Sequence, residues 1–204
     1  MSQPRGVFVA IEGIDAVGKK TQTSILKSWL QSKGLSTRAI SFPVYETTIG
    51  KEIKKFLAGQ VSYPPEVRAM LYAANRWEKK TEIEGMLSAT DVTIVNRYWG
   101  SNFAYGVSSG LDLDWLQSLE RGLPAPDLVL VLDAPPAGLV LRRGGNKDSY
   151  EMNADLQEKA RRAYLVHAKK FGWTVVDATR DMEETSVAVK AAVSKTLETG
   201  RKAV

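Results

Sequence analysis

Cysteine is absent from this chain of 204 residues, and histidine occurs once. Disulfides and thiolate catalysis are therefore excluded. The lone His167, close to Lys169 and Lys170, reads as a surface residue from which no metal site can be built. No apolar run reaches the length of a membrane span, and Met1-Ser2-Gln3-Pro4 lacks the charged-then-apolar pattern of a leader. The expectation is a cytoplasmic protein with no membrane contact. Internal repeats and low-complexity stretches are missing too. So is a clustered basic stripe with interleaved aromatics, which argues against nucleic acid as a partner although the net charge is +5 and the pI ≈ 9.3. Such a charge suits a small anionic ligand. With 44% hydrophobic residues, the length fits one well-buried α/β domain over residues 1–204 and is too short for two.

What is present is a phosphate-binding pattern near the start. Residues 7–11 form an apolar, β-branched run with the length of a buried strand. Gly13-Ile14-Asp15-Ala16-Val17-Gly18-Lys19 follows, and then an amphipathic helix with Ile25, Leu26, Trp29 and Leu30 on one face and Gly34 placed to end it. A GxxxxGK string between strand and helix lets backbone N–H groups turn inward around an anion, aims the positive end of the helix dipole at it, and lets Lys19 reach the outer phosphates. One position departs from the pattern. The residue after Lys19, where a Ser or Thr hydroxyl would hold Mg²⁺, is Lys20, with Thr21 after it.

Four more strands are expected, over residues 37–42, 91–95, 127–132 and 173–176, and the apolar run 127–132 predicts an interior position. Helical patterns cover residues 50–57, 66–87, 111–119, 152–171 and 182–197. Five strands alternating with helices predict a three-layer fold, a parallel sheet covered on both faces. In the helix over 66–87, Met70, Ala74 and Trp77 read as the core stripe, which puts Tyr72 and Arg76 on the face turned away from it. That pair reads either as an ordinary surface pair or as a base-stacking aromatic beside a phosphate-binding cation. Asn96-Arg97-Tyr98 stands at the C-terminal end of a strand, where open α/β sheets bind ligands. The run from Arg142 to Lys147 reads either as an exposed basic loop or as a lid over phosphates, within residues 136–150.

With these segments in place, the chain resembles the thymidylate kinase family of P-loop enzymes over residues 6–178. The resemblance rests on Glu12-Gly13-Ile14-Asp15, Phe42-Pro43, Ile49-Gly50-Lys51, Ala74-Asn75-Arg76-Trp77-Glu78, Arg97-Tyr98, Gly122-Leu123-Pro124, Pro126-Asp127-Leu128, Tyr150-Glu151 and Val176-Asp177-Ala178, in the family's order. It implies a P-loop fold, transfer of the γ-phosphoryl group of ATP to dTMP, a requirement for Mg²⁺, and a homodimer formed through helices on one side of the sheet. By the same resemblance Gly13 to Thr21, Arg142 and Ala178 would bind ATP, with Lys19 on its phosphates. Asp15 would meet the deoxyribose 3′-hydroxyl, Tyr72 would stack on thymine, and Arg76 and Arg97 would grip the dTMP phosphate or the base edge. Phe42 and Pro43 would wall the nucleoside pocket, with Tyr105, Tyr150 and Gln157 beside the acceptor nucleotide.

Departures from the family pattern fall together around the metal. Lys20 replaces the hydroxyl residue, and the family's Asp before Arg97 is Asn96, whose amide oxygen can coordinate Mg²⁺ but brings no negative charge. Tyr45, Ala16 and Ser149 stand where arginines occur in the family. Cationic help at the transferring phosphoryl group is then expected from Lys19, Arg97, Arg142, Arg143 and Lys20, the last of which reads equally well as a surface lysine at a helix start. Two other functions fit the same residues: a kinase for another deoxynucleoside monophosphate, and a nucleotide-binding protein whose catalysis is impaired by Lys20 and Asn96.

Overall fold

The computed structural model describes residues 5–139 and 154–202. Runs rich in Val, Ile and Leu become the five strands β1 (Val7–Glu12), β2 (Thr37–Ser41), β3 (Val92–Asn96), β4 (Leu128–Asp133) and β5 (Thr174–Asp177). All pair in parallel, in the order β2-β3-β1-β4-β5. Every residue of β3 and all but the first of β1 are buried, because helices cover both faces of the sheet and leave these strands no solvent side. From β1 the chain crosses to the edge strand β2, comes back to β3 beside β1, then passes to β4 and β5 on the other side. The C-terminal end of β1 is therefore the point where strand order reverses, and ligands bind at such a crevice. Register sharpens this: Ile11 lies opposite Asn96 and Glu12 opposite Val131, so the loop after β1 opens beside the end of β3.

The helices are α1 (Lys19–Ser32), α2 (Thr48–Leu57), α3 (Pro65–Glu78), α4 (Lys80–Ala89), α5 (Trp99–Ser108), α6 (Leu113–Glu120), α7 (Pro136–Leu139), α8 (Ala154–Phe171) and α9 (Met182–Lys202). On one side α1 packs with α9; on the other α8 packs with α5 and lies over β4 and β5. One core of Phe8, Ile11, Leu26, Leu30, Ile94, Leu130, Tyr98 and Tyr164 joins sheet and helices.

Several expectations are corrected. The helix over 66–87 is two, because the chain breaks at Lys79 (φ −106°, ψ 5°). Helix α5 appears where none was expected. On α3 the apolar stripe faces outward: Met70 is 44% and Trp77 40% exposed, while Ala69, Ala73 and Arg76 are buried. His167 is no surface residue but 2% exposed, packed among Phe103, Phe171 and Trp173 at ring separations of 6.4, 6.0 and 6.3 Å. The lysines that suggested a surface lie two and three residues further on, roughly 200° and 300° around the helix, so they do not share its face. Of the expected lid, only α7 falls among the described residues; Arg142, Arg143, Ser149 and Tyr150 lie outside them.

Candidate active site

The phosphate loop is held open by backbone geometry that side chains rarely adopt. Gly13 has φ 131°, and a Cβ there would meet the Leu132 carbonyl oxygen at 2.4 Å, so only glycine fits between β1 and β4. Gly18 has φ 99° and caps α1 without a side chain. Ala16 at φ 61° and Arg97 at φ 60° are left-handed without being glycine. Such strain costs about 1–2 kcal/mol per residue and is retained at functional loops. The side chains of Ile14 and Val17 are buried at 1% and 2%, so those residues offer the cleft only backbone. Lys19, 6% exposed, lies folded across its own loop, its Nζ donating to the carbonyls of Gly13 at 2.9 Å and Ile14 at 2.6 Å.

Asp15 is the centre of the polar network. Its carboxylate takes an ion pair from Arg97 Nη2, a hydrogen bond from Gln157 Nε2 at 2.7 Å and one from the Tyr105 hydroxyl at 3.0 Å. Tyr105 shares that proton with Gln157 Oε1 at 3.1 Å, which also accepts from the Asp15 amide at 3.1 Å. Burial pushes the Asp15 pKa up, but the charges of Arg97 and Lys19 and the bonds from Gln157 and Tyr105 outweigh it and hold the group at about 2. Burial and the Asp15 charge raise the Tyr105 phenol, which stays protonated as a donor. Arg97 also reaches the Gly13 carbonyl at 3.3 Å, tying β3 to the loop. Glu12, fully buried, accepts from the Tyr98 amide at 2.8 Å, the Ser101 hydroxyl at 2.7 Å and the Tyr164 hydroxyl at 3.0 Å, and so fixes the start of α5 to the end of β1.

A single cleft of about 680 Å³ runs from this loop to α3. Its lining includes Asp15, Ala16, Gly18, Lys19, Lys20 and Thr21 from the loop and the start of α1, Phe42 and Pro43 after β2, Tyr72 and Arg76 of α3, and Asn96, Arg97 and Tyr105. Arg76 does share the cleft with Tyr72, but it is not exposed as the helical wheel suggested. It is 2% exposed and held by Glu120, which takes bonds from Nε at 2.9 Å and from Nη2. Glu120 Oε1 also accepts from Asn102 Nδ2 at 2.8 Å. Gln157 is fully buried, hydrogen-bonded to Asp15, and is not part of the cleft lining. Ala178 is 2% exposed, its amide donating to the Asp133 carbonyl at 2.8 Å, and it lies outside the cleft lining.

Sequence reasoning missed Glu120, Asn102 and the clamp made by Asn75. The Asn75 amide accepts from the Val44 N–H at 2.8 Å and donates to Thr47 Oγ1 at 2.8 Å, which holds the Phe42-Pro43 wall against α3. Glu120 had one readable signal: it follows fully buried Leu116 by one turn, so an acid stands on an apolar face.

The thymidylate kinase family model matches residues 11–189. The chain is similar to the thymidylate kinase of Arabidopsis thaliana, at 34% identity over 191 residues covering 94% of this chain and 72% of that protein. It is similar to the human thymidylate kinase at 33% identity, covering 90% and 87%. Among solved structures, the thymidylate kinase of Candida albicans superposes with a TM-score of 0.81 at 29% identity, covering 95% of this chain and 94% of that one. The fold agrees with that superposition, and the chain belongs to the thymidylate kinase family, enzymes that phosphorylate nucleoside monophosphates.

Proposed function

We propose that this chain transfers the γ-phosphoryl group of ATP to dTMP, giving dTDP and ADP. The observation that carries this is that one cleft is lined by the phosphate loop and by Tyr72 and Arg76, with the Asp15–Arg97 ion pair also in its lining. Phosphoryl transfer needs in-line alignment and positive charge more than acid-base chemistry. The loop amides and Lys19 hold the donor end; Arg97, fixed by Asp15, stands between donor and acceptor. At the far end, Arg76 has Nε and Nη2 committed to Glu120, and Asn102 Nδ2 donates to Glu120 and to the Ala69 carbonyl at 3.2 Å. Among the described residues, Arg76 Nη1 and Asn102 Oδ1 remain as one donor and one acceptor. A thymine edge, with a carbonyl beside an N–H, complements that pair; a cytosine edge reverses it. Arg76 therefore suits the base rather than the phosphate.

Mg²⁺ is proposed as the counter-ion of ATP, supplying charge neutralisation on the phosphates when bound. The residues present do not fit a tightly held ion. Position 20 carries an ammonium, Asn96 offers a neutral oxygen, and Asp15 is committed to three partners. No group of three or more His, Asp or Glu able to hold a metal occurs among the described residues. A homodimer and a cytoplasmic location are further parts of this proposal; among the described residues no helix is long and apolar enough to cross a membrane.

The test is ADP release in a coupled assay with dTMP, dUMP, dGMP and dCMP. The highest kcat/KM is expected with dTMP. Preference for another monophosphate would replace the acceptor, and dTMP binding without ADP release would favour an impaired nucleotide binder.

A further inference from the structure

Two residues of the phosphate end break the usual chemistry of a P-loop in the same direction. In P-loop NTPases a hydroxyl after the loop lysine and an acidic residue at a neighbouring strand end together hold the divalent cation. Here those places are taken by Lys20 and Asn96, and both line the one cleft. Lys20 for a hydroxyl adds one positive charge; Asn96 for a carboxylate removes one negative charge. The protein's own charge at this point is thereby raised by two units, the charge of the cation that the usual pair would hold.

The local structure agrees with this arithmetic. Lys20 is exposed, and among the described residues it has no ion-pair partner. It is the second residue of α1, whose first turn contains no acidic residue. A cation exposed at the positive end of a helix dipole is repelled by it, and an anion bound there relieves that repulsion. Asn96 is 4% exposed; its Nδ2 makes one long bond to Ser41 Oγ at 3.4 Å, and its Oδ1 is buried with no partner. An Asp at 96 would add a negative charge to the same cleft lining and offset that of Lys20, so the two changes act in one direction.

We propose that Lys20, left uncompensated by Asn96, takes over the electrostatic task of a protein-held divalent cation, so that this cleft binds metal-free ATP nearly as tightly as its magnesium complex. This rests on the reading of the cleft as an ATP site. Lysine is a mobile point charge and serves here as a counter-charge, not as a ligand.

Calorimetric titration with ATP, in EDTA and in excess Mg²⁺, tests it on the unaltered chain, on Lys20→Ser and on Lys20→Ser/Asn96→Asp. For the unaltered chain the two affinities should agree within about fivefold, and Lys20→Ser should weaken metal-free ATP by about tenfold or more. The double variant should bind well only with Mg²⁺. The proposal is overturned if the unaltered chain loses more than about fivefold of its affinity in EDTA, or if Lys20→Ser leaves metal-free binding unchanged. Since Lys20 is exposed, its replacement leaves the fold intact even if the buried Asn96→Asp change does not. Absence of ATP binding under both conditions would instead refute the reading of the cleft itself.

Discussion

Arg76 and Glu120 form the most enclosed ion pair among the described residues, with side chains 3% and 2% exposed. Removing one member of such a pair strands the other charge away from water, at a cost of about 3–5 kcal/mol. Glu120→Gln should therefore lower the melting temperature sharply. On the proposed reading, in which the Arg76 guanidinium meets the base, it should also raise KM for dTMP more than it lowers kcat and narrow the preference for dTMP over dCMP, because that guanidinium loses its anchor. Equal loss on both substrates would mean that Glu120 only holds the fold. The glycine-bounded loop from Gly13 to Lys19 was readable because its spacing in sequence dictates its backbone geometry. Glu120 was not. It stands 44 positions from Arg76, and only the crossing of α3 and α6 makes them neighbours.

Strands were the easiest elements to read, since a parallel strand buried on both faces is a short unbroken apolar run, as Val7 to Ile11 of β1 and Leu128 to Leu132 of β4 are. Helix α5 was hidden for the opposite reason. Its sequence contains Gly100 and Gly106, poor helix formers, and its glycines answer to neighbours: a Cβ would meet Glu12 Oε1 at 2.9 Å at the first and Leu116 Cδ1 at 2.6 Å at the second. Packing on α6 and α8 makes this helix, not propensity. The contact of α5 with α8 includes His167, whose ring nitrogens make no well-aligned hydrogen bond among the described residues. Burial lowers its pKa below the ordinary 6.5; the nearby Phe103 backbone carbonyl pulls the other way without reversing this, and the charge of Lys170 adds to the lowering. The unfolded chain then binds the proton better than the folded one. Stability is full above the ordinary value and falls as pH drops through it. Replacing His167 by Phe should flatten the loss of thermal stability between about pH 7 and pH 5 while leaving the fold unchanged. An undiminished slope in the variant would assign the pH dependence to other groups.

At the scale of the molecule, α3 turns two large apolar side chains, Met70 and Trp77, to the outside. Met70, Ala74 and Trp77 repeat at the spacing of a helix stripe, and that periodicity was legible in the sequence; the side it faces was not, because the pattern alone cannot distinguish the chain's own core from a second chain. Trp77 is fixed, its indole donating to the Leu119 carbonyl at 2.9 Å and its ring lying 2.9 Å from where a Cβ on Gly122 would stand. Met70 remains 44% exposed beside it. Rigid apolar area kept in water costs about 25 cal/mol per Å², and a twofold pairing of this face would recover it on both copies at once. Sedimentation equilibrium should then give twice the mass of one chain, and Met70→Glu should shift the population toward single chains by placing a charge in the seam. Val187→Glu, on the exposed side of α9 where the native residue is 62% exposed, should leave the mass unchanged. A single-chain mass for the unaltered protein, or an equal response to both substitutions, would remove α3 as the pairing surface.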